Sequence, residues 1–247
     1  MTAKRDFLTV ANFKNDLHEV VMQYSMLKHP FYVAWSEGRL SRDVLAEYAK
    51  QYYAHVAAFP AYVSAVHSRC EDLETRQMLL ENLIEEERGE ENHPELWLRF
   101  AAALGLARQD VKSAELLPST KESVANLKAL TQSEDYREGL AALYAYESQI
   151  PEVARTKREG LRKFYGIAEG AAVSFFRVHE SIDRLHQQAE LEALTQSALS
   201  PVDQERITEA AEHSARALWG FLDGITNAYL KNAACDKTVF VFAPKRD

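Results

Sequence analysis

Apolar residues recur along most of this chain at the spacing of amphipathic helices. In the first segment, for example, Leu8, Phe13 and Leu17 fall near one helical face. Signals for strands and tight turns are scarce, since 247 residues include only nine glycines and seven prolines. The pattern predicts an all-α protein, built as a single bundle of about seven to eight helices over residues 1–247.

The predicted helices are separated by short polar or proline-containing segments. They run over Phe7–Leu27, Ser41–Arg69, Glu71–Glu91, Glu95–Leu106, Lys121–Leu130, Ser133–Tyr165, Ala168–Leu199 and Pro201–Asn232. Ser41 is the expected N-cap of the second helix. Residues 29–40 and 107–120 are predicted to be linkers. The C-terminal tail, residues 237–247, contains the β-like run VFVF but no second strand to pair with it.

Composition narrows the classes of function. Hydrophobic residues make up 47% of the chain and charged residues 27%, as in folded globular proteins. The net charge of −8 argues against nucleic-acid binding, which needs clustered Lys and Arg. No apolar run reaches the roughly 18–20 residues of a membrane span. The two cysteines do not form a disulfide framework and the N-terminus lacks a signal-peptide pattern, so a cytoplasmic protein is expected.

Two predicted helices carry carboxylates and histidines at the spacing i, i+4, i+7. They are Glu86, Glu90 and His93 in one helix, and His179, Asp183 and His186 in the other. At about 100° per residue, each trio would lie along one stripe of its helix. Carboxylates and imidazoles that face a bundle interior are typical of di-iron sites, and these ligand types suit iron or manganese.

Glu147 is a single carboxylate within an apolar and aromatic run, where burial is costly without a cation or a partner. The acidic run around Glu86 could instead be a solvated face, and Glu90 is a rival ligand or an outer-sphere group. Pro94 should bend or end its helix and could turn His93 inward. Pro151 could likewise bend the helix that carries Glu147.

The order Glu86-x6-His93-Pro94, then Glu147, then His179-x3-Asp183-x2-His186 resembles the haem-oxygenase-like di-iron oxidases. The intervals of 61 residues from Glu86 to Glu147 and 32 from there to His179 are similar to those of one branch. That branch comprises the chlamydial proteins associating with death domains and their bacterial relatives. The resemblance implies a haem-oxygenase-like bundle and a homodimer. It also implies six ligands for two metal ions (Fe/Fe or Fe/Mn), with dioxygen and an external reductant.

The same resemblance implies that the chain is its own substrate in a single-turnover synthesis of para-aminobenzoate for folate. Tyr32 matches the carbon source, since a tyrosine ring and its Cβ supply seven carbons, and Lys157 matches the amine donor. On a straight helix Lys157 would lie about 80° from the stripe of Glu147, and Arg158 would align better. A kink at Pro151 could close this gap. Tyr146 is a candidate second redox or hydrogen-bonding group.

Other functions stay open on the sequence alone. A di-iron oxidase that acts on a free amino acid or fatty acid would share the ligands and need neither Tyr32 nor Lys157. A thiaminase-like hydrolase would need a mid-chain cysteine, but none lies between Cys70 and Cys235. A cofactorless quinone-biosynthesis oxidase leaves the ligand pattern unexplained. A non-enzymatic module that binds partner helices is the remaining alternative.

Overall fold

Eleven α-helices follow one another in the computed structural model, which describes residues 8–196 and 199–230, without the side chains of residues 181–185. They are α1 Val10–Gln23, α2 Pro30–Ser36, α3 Arg42–Arg69, α4 Leu73–Glu87, α5 His93–Ala103, α6 Arg108–Lys112, α7 Pro118–Thr131, α8 Tyr136–Glu147, α9 Ile150–Tyr165, α10 Ser174–Ala193 and α11 Pro201–Ile225. Short 3-10 or π turns precede α2 and α10 and follow α11. The all-α prediction is confirmed over this part of the chain.

The predicted number of seven to eight helices is wrong, because two linkers contain helices and one long segment is divided. The linker over residues 29–40 contains α2, capped by the His29 ring, whose Nδ1 accepts from the Phe31 amide at 3.1 Å. Residues 107–120 contain α6. The segment Ser133–Tyr165 separates into α8 and α9, with Pro151 in the first turn of α9. Proline is compatible with that position because the first turn needs no N–H from it.

The connection between α4 and α5 shows that the prediction of one helical stripe through Glu86, Glu90 and His93 is wrong. Helix α4 ends at Glu87, and Gly89 has a left-handed backbone with φ of 78°. Asn92 then caps α5, its side chain accepting from the Glu95 amide at 3.0 Å. Glu86 and His93 therefore lie on two helices rather than one. Glu90 is exposed in the turn between them, away from the predicted stripe.

The core is formed around α3, which has the predicted start and end. The Ser41 hydroxyl accepts from the Val44 amide at 3.2 Å, which confirms the predicted N-cap. Helices α8 and α7 pack on α11, and α9 packs on α10. The largest fully buried side chains include Trp35, Trp97 and Tyr32. Burying a side chain such as Phe stabilises the fold by roughly 1.5–3 kcal/mol, and these aromatic rings dominate the close-packed interior.

No helix in the described ranges is both long and apolar enough to cross a membrane. The VFVF run of the tail lies outside the described residues, so its pairing stays a prediction.

Candidate functional site

Three buried side chains from three helices converge in the core. Glu86 in the last turn of α4, His93 at the start of α5 and His179 in α10 each offer one ligand atom, and these atoms lie within 4.8 Å of one another. Their exposed fractions are 5%, 3% and 7%. The break between α4 and α5 makes the convergence possible, because it turns the chain so that both residues face α10.

Hydrogen bonding and burial prepare these side chains to bind a cation. His179 Nδ1 lies 2.7 Å from the Phe175 carbonyl oxygen, which fixes a proton there and leaves the Nε2 lone pair available. Burial, aided by His93, lowers the pKa of His179 well below its ordinary value, so the ring is neutral. Burial also raises the pKa of Glu86, although His93 opposes the shift. His93 Nδ1 is 2.7 Å from Glu86 Oε1 without hydrogen-bond geometry.

A second set of possible metal ligands lies beside Glu86, His93 and His179. Glu147, the last residue of α8, is 3% exposed, and its Oε1 accepts from the Asn82 amide at 2.9 Å. His186 Nδ1 lies 3.7 Å from the same Oε1, and its Nε2 lies 3.0 Å from Oε2 of the partly exposed Glu85. Burial lowers the pKa of His186, but the carboxylates led by Glu147 outweigh it and raise the pKa overall.

The donor set fits a metal. Glu147 Oε2, His186 Nδ1 and His93 Nδ1 are buried without a hydrogen-bond partner among the described residues. Orphaned buried acceptors and carboxylates that crowd one another are costly unless a cation joins them. Mixed carboxylate and neutral imidazole ligands suit iron or manganese. The side chain of Asp183 lies outside the described residues, so the sixth predicted ligand stays a prediction.

Tyr32 and Lys157 meet in a second region of the core. Tyr32 in α2 is 1% exposed and Lys157 in α9 is 2% exposed. Lys157 Nζ lies 5.4 Å from the centre of the Tyr32 ring. It lies 4.5 Å from the Tyr52 ring centre and 5.5 Å from that of Trp97. Burial lowers the pKa of Lys157 to about 7, so a large neutral fraction exists at neutral pH.

The straight-helix estimate that favoured Arg158 over Lys157 is wrong, because the chain breaks between α8 and α9. Lys157 points into the core. Arg158 instead lies at the rim of the helix pair, where its guanidinium binds Glu180 of α10 at 2.8 Å.

Four tyrosines connect the two regions. The Tyr32 and Tyr48 hydroxyls lie 3.0 Å apart, and the rings of Tyr48 and Tyr52 stack with centres 5.5 Å apart. The Tyr52 and Tyr146 hydroxyls lie 2.8 Å apart. Tyr146 lines a cavity of about 20 Å³ together with Glu86, His93, Glu147 and His179. This volume holds about one water molecule.

Several of these neighbours carry no distinctive signal in the sequence. Asn82 lies one helical turn before Glu86, a spacing that would have placed it on the ligand face. Tyr48, Tyr52 and His55 follow the i, i+4, i+7 pattern on α3, which an aromatic core shares. His55 is fully buried, and both of its ring nitrogens lack a hydrogen-bond partner among the described residues.

Comparison with known proteins agrees with this geometry. Residues 46–219 match the model of a haem-oxygenase-type family described as "Iron-containing redox enzyme". The chain belongs to this family. It is 41% identical over 234 residues to the 4-aminobenzoate synthase of Nitrosomonas europaea, covering 91% of this chain and 95% of the relative. It is 41% identical over 224 residues to the 4-aminobenzoate synthase of Chlamydia muridarum, covering 91% and 92%.

A solved structure shows the same fold at lower sequence identity. A TenA homologue from Pseudomonas syringae pv. tomato is 18% identical and superimposes with a TM-score of 0.75, covering 88% of this chain and 92% of that one. The haem-oxygenase-like fold that the family resemblance implies is thus confirmed. Family membership and the buried Glu86, His93 and His179 cluster together support a redox enzyme.

Proposed function

We propose that this protein makes 4-aminobenzoate from its own side chains, with Tyr32 as carbon source and Lys157 as amine donor. The observation that carries the proposal is the burial of a lysine amine 5.4 Å from the centre of a buried tyrosine ring. Lysine is rarely buried without a paired charge, so this position calls for a functional reason. The relatives named 4-aminobenzoate synthases supply the product class.

The metal centre in this proposal has two ions, held by Glu86, His93, Glu147, His179, Asp183 and His186. Bound iron, or iron with manganese, supplies the activation of dioxygen, and an external reductant supplies electrons. The protein's own contribution is to hold imidazoles and buried carboxylates in place beforehand. A homodimer remains part of the proposal and rests on resemblance.

Tyr32 is suited to be consumed because it is enclosed. Its ring and Cβ carry the seven carbons of the product. The Cα–Cβ bond breaks and dioxygen, the oxidant, converts Cβ to the carboxylate. The Lys157 nitrogen takes the place of the phenol oxygen, which leaves as water, and the lysine Cε–Nζ bond breaks to release the product. Burial, together with Tyr52, raises the pKa of the Tyr32 hydroxyl well above its usual value and keeps it protonated. That hydroxyl shares a hydrogen bond with Tyr48, so a proton can move to or from the phenol without solvent. A protein that consumes Tyr32 acts once.

Lys157 is suited to donate nitrogen because only a neutral amine is a nucleophile. Its pKa of about 7 arises from burial, and its contacts are aromatic rings rather than acids. Tyr146 links the two regions. It lines the cavity beside the donor cluster, by which we mean the possible metal ligands Glu86, His93, Glu147, His179 and His186, and it shares a hydrogen bond with Tyr52.

The dimensions of the described cavity favour an internal substrate over a free one. Pockets that enclose drug-sized ligands typically have volumes of about 300–1,000 Å³. The cavity beside Glu86 and Glu147 has about 20 Å³. Dioxygen fits such a space far better than a larger substrate does.

The test is reconstitution with ferrous iron, with and without manganese, followed by dioxygen and a reductant and no added substrate. We expect about one or fewer 4-aminobenzoate molecules per chain, with peptide masses showing loss at Tyr32 and Lys157. Tyr32→Phe should abolish the product and leave metal content unchanged. Tyr144→Phe, which removes a buried hydroxyl from α8, is the matched control and should retain the yield. Product formation by Tyr32→Phe would overturn the proposal.

A further inference from the structure

The helices that carry Tyr32 and Lys157 touch at one close contact. Trp35 lies three residues after Tyr32 on α2, and Gly160 lies three residues after Lys157 on α9. Trp35 Nε1 donates a hydrogen bond to the Lys157 carbonyl oxygen at 3.2 Å. Tyr32 and Lys157, the two proposed reactants, therefore each lie about one helical turn from the point where α2 and α9 touch.

Gly160 is the residue that permits this approach. A Cβ at that position would lie 2.7 Å from Trp35 Cδ1, 2.8 Å from its Nε1 and 3.3 Å from its carbonyl oxygen. The distances to Cδ1 and Nε1 are both shorter than the distance at which two non-bonded atoms normally touch. Any side chain at position 160 would thus push α2 away from α9 or displace the indole.

The indole has little freedom to move aside. Trp35 is fully buried, and its ring packs against Phe31 and Tyr48 with centres 6.1 Å and 5.7 Å away. Because protein interiors are close-packed, moving one such ring displaces its neighbours. Tyr48 is one of those neighbours and also bonds Tyr32, so any displacement reaches the tyrosine itself.

A second attachment fixes the exit of α2 against the end of α9. The Tyr165 hydroxyl donates to the Leu40 carbonyl oxygen at 2.9 Å, and the Arg42 guanidinium donates to the Tyr165 carbonyl oxygen. These bonds hold the connection after α2 and the first residue of α3 to the end of α9, which limits how far α2 can move to relieve crowding at Gly160.

We propose that the Trp35–Gly160 contact is a positioning device that holds the Tyr32 ring and the Lys157 amine at the separation needed for nitrogen transfer. This inference rests on the proposed function. Both residues act through others: Trp35 through the helix that carries Tyr32, and Gly160 through the helix that carries Lys157. A displacement of about 1 Å in such a pair can reduce a rate by about 100-fold.

The first test compares Gly160→Ala with Gly220→Ala, a helical glycine in α11 whose Cβ would meet nothing within 4 Å. After reconstitution, we expect Gly160→Ala to lower the initial rate of 4-aminobenzoate formation by about 10- to 100-fold. We also expect it to raise the fraction of chains altered at Tyr32 but intact at Lys157. General loss of folded protein would instead lower both changes in proportion, and that result would overturn the positioning role. Gly220→Ala should match the wild type.

The second test does not depend on turnover. An amine-acylating reagent is added to the full chain before metal loading, and labelling at Lys157 is measured by peptide mass analysis. Gly160→Ala should label Lys157 several-fold faster than Gly220→Ala, and adding Trp35→Phe, which makes room for the new Cβ, should restore part of the protection. Equal labelling would refute the inference. If the wild type makes no 4-aminobenzoate but the labelling difference is present, the proposed function fails and the contact still positions Lys157.

Discussion

The core holds two buried polar regions that differ in how their ionisable groups are surrounded. Around Glu86 and Glu147, carboxylates and imidazoles crowd together, and several of their atoms lack hydrogen-bond partners among the described residues. Around Lys157, a single amine is enclosed by aromatic rings. The first region concentrates negative charge and lone pairs, whereas the second removes the solvent that would keep an amine charged.

The difference shows what each region requires. The donor cluster is unfavourable as it stands, because buried carboxylates repel one another, and a cation relieves that cost. The lysine region needs no added group, because desolvation alone shifts the amine to its neutral form. The carboxylate and imidazole cluster therefore reaches its favourable state only when a cation binds, whereas the lysine amine becomes neutral when the chain folds. Substitutions in the two regions should change metal binding and folding stability separately.

The largest expected effect is on the donor cluster. Glu86→Gln should weaken ferrous iron binding by more than the roughly 10–100-fold typical of losing a group that only orients a ligand. Since ligand at 100 times its Kd stabilises a protein by about 2.7 kcal/mol, metal should raise the Tm of the wild type and not of this variant. Before metal is added, the variant should be at least as stable, because burial raises the pKa of Glu86 and the neutral amide avoids its charge.

Glu90→Gln is the matched control for this prediction, since the same change is made at an exposed residue two positions before Asn92. Its metal content by equilibrium dialysis and its metal-dependent Tm should equal those of the wild type. If the two variants bound iron equally well, the donor cluster at Glu86 would not be the metal centre.

The next effect is on the lysine region. Lys157→Met should stabilise the metal-free protein by up to about 4 kcal/mol near neutral pH, because one pKa unit corresponds to about 1.4 kcal/mol and burial lowers this pKa from 10.5 to about 7. Urea unfolding measures the change. Lys163→Met, on the exposed face of α9, should stay within about 0.5 kcal/mol of the wild type. A destabilised Lys157→Met would mean that the amine stabilises the fold.

The pH dependence of that difference sharpens the comparison. Between about pH 7 and pH 10.5 the unfolded chain keeps the Lys157 proton that the folded chain has lost, so the wild type gains stability as pH rises. The advantage of Lys157→Met should therefore shrink by up to about 1.4 kcal/mol per pH unit above pH 7 and be constant below it. Unfolding curves at about pH 6 and about pH 9 suffice. A constant difference would show that the folded-state pKa is not lowered.

The sequence predicted those features of the fold that depend on residues close together in the chain. The Ser41 cap and the helix that follows it were found because capping depends on neighbouring residues. Pro94 and Pro151 were expected to bend or end helices, whereas each lies in the first turn of a new helix. The short helices α2 and α6 were missed, because their seven and five residues are too few for a periodic pattern.

The candidate site was harder to predict, because its geometry is tertiary. A single helix through Glu86, Glu90 and His93 would align them along one stripe, but the chain leaves the helix after Glu87 and turns at Gly89. The residue types of Glu86 and His93 predicted ligands, while the place where their side chains meet His179 of α10 is set by the tertiary structure. The spacing of Tyr48 and Tyr52 is indistinguishable from ordinary core packing, so only the structure reveals their bonds to Tyr32 and Tyr146.

The smallest expected effect concerns Asn82, which orients one carboxylate of the donor cluster. Its amide donates to Glu147 Oε1 at 2.9 Å, and the bond leaves Oε2 without a hydrogen-bond partner among the described residues. Asn82→Ala should let Glu147 turn and should weaken metal binding by about tenfold, the low end of the range for groups that orient ligands. Lys157 acylation should not change, because the Lys157 amine contacts aromatic rings of α2, α3, α5 and α10 rather than residues of α4. Asn126→Ala on the exposed face of α7 is the control, and equal iron affinity in the two variants would assign Asn82 to packing alone.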